Sequence, residues 1–250
     1  MGHRQAIFLV VASFLIVLSN AVAAVPVLMN GAAQVGAPRR LRFSGYEWVV
    51  KSSRGPVGPG PNVFSEENVE VDDDGQLRLK IARRGGRWTS AEIGSRRDLG
   101  YGTYRFSVAA GPRDPRAILG LFTWSDHDDD AHHREIDIEI GRWGDADGPN
   151  AQCTVQPSSR PGNLIRFELP DGPAVHEFNW SRSGISCRSQ IEASAGSALP
   201  FVHRHQFRES APPAGTANVR INLWLADGLP PSNDGVIEAI VQRFEYFPEP

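Results

Sequence analysis

From Leu41 onward the chain is written in short runs that alternate apolar and polar residues, with turn residues between them. A period of two places successive side chains on opposite faces of a strand, so each run is a strand with one face to bury. Leu77, Leu79 and Ile81 alternate with Arg78 and Lys80. Tyr101–Val108, Glu135–Ile140, Leu164–Leu169, Ile185–Gln190, Asn218–Trp224 and Glu238–Tyr246 repeat the pattern. Between Asn68–Val71 and Leu77 stands Asp72-Asp73-Asp74-Gly75. That is a hairpin signal, with Asp74 and Gly75 both expected at positive φ. Residues 24–250 contain no run of helical period, and 25 glycines and 19 prolines among 250 residues favour many turns. The expected fold is all-β: about eight to fourteen antiparallel strands in two packed sheets, a β-sandwich.

The N-terminus reads as an address. Arg4 precedes an apolar run, Ala6–Leu18, and Ala21-Val22-Ala23 is a small-x-small cleavage site. Residues 1–23 are therefore expected to be a signal peptide and 24–40 a flexible tether, with a single domain over 41–250. The mature protein is expected to be secreted or periplasmic and off the membrane. An uncleaved leader, stretched to Val25, would instead approach the length of an anchor. A formal charge of −3 gives no basic excess, which argues against a nucleic-acid partner. Export leaves two readings for Cys153 and Cys187, a disulfide or two buried thiols. Bridging them would stabilise the fold by roughly 3–4 kcal/mol on a chain-entropy model.

The segment that carries chemistry is Arg134-Glu135-Ile136-Asp137-Ile138-Glu139-Ile140. On a strand Glu135, Asp137 and Glu139 share one face, while the three isoleucines fill the core on the other. Three acids in a row repel one another. The bare pattern suits a solvated edge strand as well as a catalytic one. Cα atoms four residues apart on a strand are ~13 Å apart, at roughly 3.3 Å per residue. Two Glu side chains leaning together over Asp137 can bring their carboxyls to about 5–6 Å, close to the separation of a retaining glycosidase. Clustered like charge also raises proton affinity, so one acid can stay protonated near neutral pH.

Here the chain resembles the family 16 glycoside hydrolases, the lichenase-like β-glucanases built on a concanavalin-A-like jelly roll. EIDIE at Glu135–Glu139 carries the resemblance, as the unbulged form of that family's catalytic strand. Gly58–Phe64, Leu99–Tyr104, Gly120–Trp124, His176–Trp180 and Asn222–Trp224 extend it in the family's order. The resemblance implies that Glu135 is the nucleophile, Glu139 the general acid/base and Asp137 the residue that tunes the nucleophile. Glu92 falls where lichenases carry a substrate-contacting Glu. Two positions later they have an Arg, whereas this chain has Gly94, which leaves the linkage preference open. Some members hold calcium with an Asp of the last strand. The matching position is Gln242, so the resemblance implies no metal, and no cofactor is expected.

Sugar rings stack on flat aromatic faces, which makes Trp124, Trp143 and Trp224 candidates for a glucan cleft; each could equally pack a core. Trp48, Trp88 and Trp180 are assigned to core or loop packing. Asn62 and Gln156 are polar candidates for substrate hydroxyls, although Asn62 could as well serve a turn. His127, His132 and His133, among Asp128, Asp129 and Asp130, lack the spacing of metal ligands. No Gly-x-Ser-x-Gly elbow and no phosphate loop is present. The expected protein is a monomeric, retaining endo-β-glucanase acting on β-1,3-1,4- or β-1,3-glucans. The alternatives are a transglycosylase on the same bonds, a non-catalytic carbohydrate-binding protein of the same fold, or an inert wall protein.

Overall fold

The structure is a computed structural model and describes residues 37–192, 201–207 and 211–249. The expected leader and most of the expected tether lie outside the described residues. Sixteen strands run through the described residues. In chain order they begin with β1 (Arg40–Phe43), β2 (Tyr46–Val50), β3 (Val69–Val71), β4 (Leu77–Arg84) and β5 (Arg87–Thr89). Next come β6 (Ala91–Asp98), β7 (Gly102–Ala110), β8 (Ala117–Trp124), β9 (Ile136–Gly141), β10 (Ala151–Val155) and β11 (Leu164–Phe167). The last are β12 (Ala174–Ser181), β13 (Gly184–Ile191), β14 (Phe201–Phe207), β15 (Asn218–Leu225) and β16 (Ile237–Pro248). The first sheet has the order β1-β2-β6-β15-β8-β9-β10-β11, and the second β14-β13-β12-β7-β16-β4-β3, with β5 on β4. Every ladder between these strands is antiparallel.

The fold class matches the expectation, and each run of period two named above is a strand. The count exceeds the expected eight to fourteen because β1, β3 and β5 are only three or four residues long. The domain also begins earlier than Leu41. Arg40 opens β1, and the Arg39 guanidinium donates to the carbonyls of Glu66 and Val69. The Asp72–Gly75 turn joins β3 to β4 as expected, but by different chemistry. Only Gly75 takes a positive φ (75°), and the Asp72 carboxylate accepts the N–H groups of Asp74 and Gln76.

The inward faces of the two sheets form one core. Tyr104 stacks on Phe178 at 4.7 Å, and Phe244 packs edge-on to Trp48 at 5.7 Å. Burying each such ring contributes roughly 1.5–3 kcal/mol. Trp48 and Trp180 are wholly buried and Trp88 packs against the core, so these three indoles hold the fold together as expected. Cys153 of β10 and Cys187 of β13 are joined as a disulfide from one sheet to the other, with Cα atoms 6.7 Å apart. Among the described residues no helix is long and apolar enough to cross a membrane.

Candidate active site

β9 sits between β8 and β10 near the middle of the first sheet, and both ladders run without a register shift. Ile136, Ile138 and Ile140 point into the core, so Asp137 and Glu139 face outward, with Glu135 just before the strand. The register extends this outward face into rows across the sheet. Glu139 stands opposite Gly120 and Gln152; Gly120 faces Asn222, Asn222 faces Glu92, and Gln152 faces Arg166. One step along, Asp137 stands opposite Phe122 and Thr154, Phe122 faces Arg220, and Arg220 faces Gly94. Such an outer face would normally be wet. Here Glu92, Asp137, Gln152, Thr154 and Asn222 are all buried while Glu135 and Glu139 stay half-buried, so the acids sit in a recess of packed polar side chains.

Gly120 makes room for the row. A Cβ there would lie 2.4 Å from Asn222 Oδ1, so any side chain would push Asn222 away from the strand that carries Glu139. Glu139 is gripped by neutral donors. Gln152 Nε2 donates to its Oε2 at 2.5 Å, and the Trp224 indole N–H donates to it as well. Arg166 fixes which way the Gln152 amide points, because its Nε donates to Gln152 Oε1 at 3.2 Å. The Arg166 guanidinium in turn lies 4.4 Å over the ring of Trp143. Trp143 thus reaches the acid/base candidate through an arginine and an amide.

The other end of the acidic strand is set by a strained turn. His132, His133 and Arg134 hold φ of 48°, 57° and 54°, a region that costs non-glycine residues of order 1 kcal/mol each. Thr123 Oγ1 donates to the Arg134 carbonyl at 2.8 Å, and the Ser125 N–H to the His133 carbonyl at 2.7 Å. Arg134, the cation next to the acids in sequence, turns away from them and binds Asp128 at 2.8 Å.

Burial is the main force on the acids. It raises Glu135 to about 7, where Glu139 also raises it while hydrogen bonding to Asp137 and the charge of Arg220 oppose. It raises Glu139 to about 7 against Gln152, Arg166 and Trp224. Asp137 goes well above its usual range, through burial first and then its two acidic neighbours. A neutral Asp137 donates its proton to an ionised Glu135, and the set titrates as one coupled unit. The sign for stability follows. These carboxyls bind protons more tightly folded than unfolded, so their contribution is complete below about pH 4 and is lost as pH rises through 7. Glu135→Gln is therefore expected to be more stable than the parent at pH 8, by on the order of 2–3 kcal/mol, and about equal at pH 4. Denaturant titration at both pH values checks this, and equal stability at pH 8 would refute it.

The other candidates divide. Glu92 lies in the recess, bonded to Lys51 at 2.8 Å, in the same row as Glu139. Trp224 is half-buried and touches Glu139. Trp124 is at the site, but His133 stacks on its ring at 4.0 Å and 10°, so one face is taken. Asn62 is corrected to a structural clamp. Its amide donates to the Pro59 and Leu225 carbonyls and accepts from Ser90 Oγ and the Leu225 N–H, which uses its full capacity. Gln156 lies just past β10, and its side chain accepts from the Ser158 N–H. Gln152 is the amide that reaches the acids. Gln152, Arg166, Arg220 and Asn222 were all missed as site residues. Arg166, Arg220 and Asn222 lie in runs read as strands, and Ala151–Val155 also alternates, so the period gives their faces, but only the strand pairing places them beside the acids.

No family model and no curated protein sequence matches the chain. Solved structures do. A β-glucanase of Bacillus licheniformis superposes with a TM-score of 0.63 at 16% identity, covering 86% of this chain and 100% of that one. A β-1,3-1,4-glucanase from a mouse hindgut metagenome gives 0.60 at 20% identity, covering 81% and 93%. A protein of Mycobacterium tuberculosis described as a pseudo-β-1,3-glucanase gives 0.60 at 18% identity, covering 81% and 91%. The chain has the two-sheet β-sandwich fold of the β-glucanases.

Proposed function

We propose that the protein is a secreted, retaining, endo-acting β-glucan hydrolase of the family 16 type, cleaving β-1,3-1,4 or β-1,3 linkages. The observation that carries this reading is the Glu135–Asp137–Glu139 set on one face of the acidic strand, with Asp137 buried, the two glutamates half-buried, and Gln152 and Trp224 holding Glu139. Glu135, ionised and bonded to neutral Asp137, attacks the anomeric carbon. Glu139 protonates the leaving glycosidic oxygen. The glycosyl–Glu135 ester carries no charge, so Glu139 then loses its like-charged neighbour and its proton affinity falls. It becomes the base that takes a proton from water as water attacks the anomeric carbon. Two displacements return the original configuration. Trp224 and Trp143 offer rings for sugars to lie against, whereas the Trp124 ring carries His133 stacked on it and the Arg220 guanidinium over it. Secretion rests on the leader.

Reducing-end release from mixed-linkage β-glucan, laminarin and xyloglucan tests the proposal, with the anomer of the first product read by NMR. Turnover of one glucan with a β-configured first product is expected. An α-configured product would overturn retention. A fold neighbour described as a pseudo-glucanase gives weight to a second reading, a glucan-binding protein without turnover. Binding of a glucan with no reducing ends released would favour it, and lengthened oligosaccharides would identify a transglycosylase.

A further inference from the structure

Gly94 on β6 has no side chain, yet the space above it is filled. A Cβ at Gly94 would lie 3.6 Å from Cγ of Arg220, whose stem crosses from β15 over the bare backbone. Arg220 is buried, and each guanidinium nitrogen has a partner. Nη2 binds Asp126 at 2.7 Å, Nη1 lies 3.5 Å from Glu92, and Nε donates to Asn218 at 2.9 Å. Asp126 also accepts the Trp124 indole N–H at 3.1 Å, and the Arg220 guanidinium lies 5.8 Å from the centre of that ring. The direction of the side chain matters. Phe122 stands opposite both Arg220 and Asp137, and the next outward residues beyond that pair are Trp124 and Glu135. The guanidinium therefore lies toward the Glu135 end of the acidic strand, while Arg166 lies toward Glu139.

We infer that Arg220 is a positioning residue for the nucleophile. Its guanidinium, laid over Gly94 and locked by Glu92, Asp126 and Asn218, presents a fixed positive charge to Glu135 and holds the plane of Trp124 beside it. The inference rests on the reading of Glu135 as nucleophile. The groups that face Glu135 are Asp137 and Glu139 along its own segment and Arg220 from β15. By the register of β8 with β9 the next outward neighbour is Trp124, Asp126 meets Arg220 and Trp124, and the Gln156 N–H bonds the Glu135 carbonyl. An opposite charge favours the ionised carboxyl, so removing Arg220 raises the proton affinity of Glu135.

The test compares the full chain with Arg220→Met, Arg220→Lys and the double variant Arg220→Met/Gly94→Arg. The backbone at Gly94 lies outside the positive-φ region, so it accepts a side chain, which can grow into the space left by the shorter side chain of the Arg220→Met change. Lys51 remains to pair Glu92 in every variant. Two quantities are read: the pH dependence of kcat/KM on the glucan that is turned over, and the carboxyl titration of 13C-labelled glutamate by NMR. The second needs no activity. In Arg220→Met the acid limb and the Glu135 titration are expected to rise by about one pH unit. Lysine should hold both near the parent value, and the double variant should bring them back because the charge returns from the neighbouring strand. An unmoved Glu135 titration in Arg220→Met overturns the inference, whatever happens to activity. A moved titration in a protein that hydrolyses no glucan keeps the placement of Arg220 and removes the hydrolase reading instead. A thermal midpoint close to that of the parent identifies variants that have kept their fold.

Discussion

Glu135→Gln and Glu139→Gln are each expected to lower glucan turnover by at least about a thousandfold, because one removes the nucleophile and the other the proton donor. Both substitutions keep the shape of the side chain, and the fold should survive them. At position 139 the remaining carbonyl oxygen can still accept from Gln152 or Trp224. The roles separate with an activated aryl glycoside, whose leaving group departs without protonation. Glu139→Gln should then release a burst of the aryl group and stall at the glycosyl–Glu135 ester. Glu135→Gln should release none. A burst from Glu135→Gln would reverse the assignment, and full turnover by either variant would remove the acidic strand from the chemistry altogether.

How much of this was legible depends on what each strand face touches. β9 was readable because its inner face is pure isoleucine and its outer face pure acid, so a period of two stands out. β8 was not readable by period. Ala117, Leu119 and Leu121 meet the core while Ile118, Gly120 and Phe122 lie under the recess, and with both faces buried the run loses its alternation. The acids themselves were visible, but their grip was not. Gln152 and Arg166 act through register, since each sits opposite its partner on the neighbouring strand, and a period of two gives the face of a residue but not its register. Asn62 looked available because a sequence shows a polar side chain and not the four bonds that exhaust it. Gly94 looked like a missing cation, and only the pairing of β6 with β15 shows that Arg220 occupies the space.

The second large effect concerns the disulfide. Cys153 lies between Gln152 and Thr154, both of which face the recess, and opposite Ile138 of the acidic strand. Cys187 lies in the second sheet opposite Phe178. The bond spans 34 residues, and closing a loop of that size stabilises by about 3–4 kcal/mol on the chain-entropy model. Against a typical total of roughly 5–15 kcal/mol, that is a large share. Cys153→Ala/Cys187→Ala, or reduction of the parent, is expected to lower the thermal midpoint by roughly 10 °C. The loss should also reach the site, because β10 holds Gln152 against Glu139 and is anchored to the second sheet at the next residue. Activity at a temperature well below the new midpoint should therefore fall several-fold, whereas a staple with no link to the site would leave it unchanged. Two free thiols on the denatured, unreduced protein would show that the bond does not form, and an unchanged midpoint would show that it does not stabilise. If the midpoint drops and activity is kept, Gln152 is held by its bond to Arg166 and by the β9–β10 ladder alone.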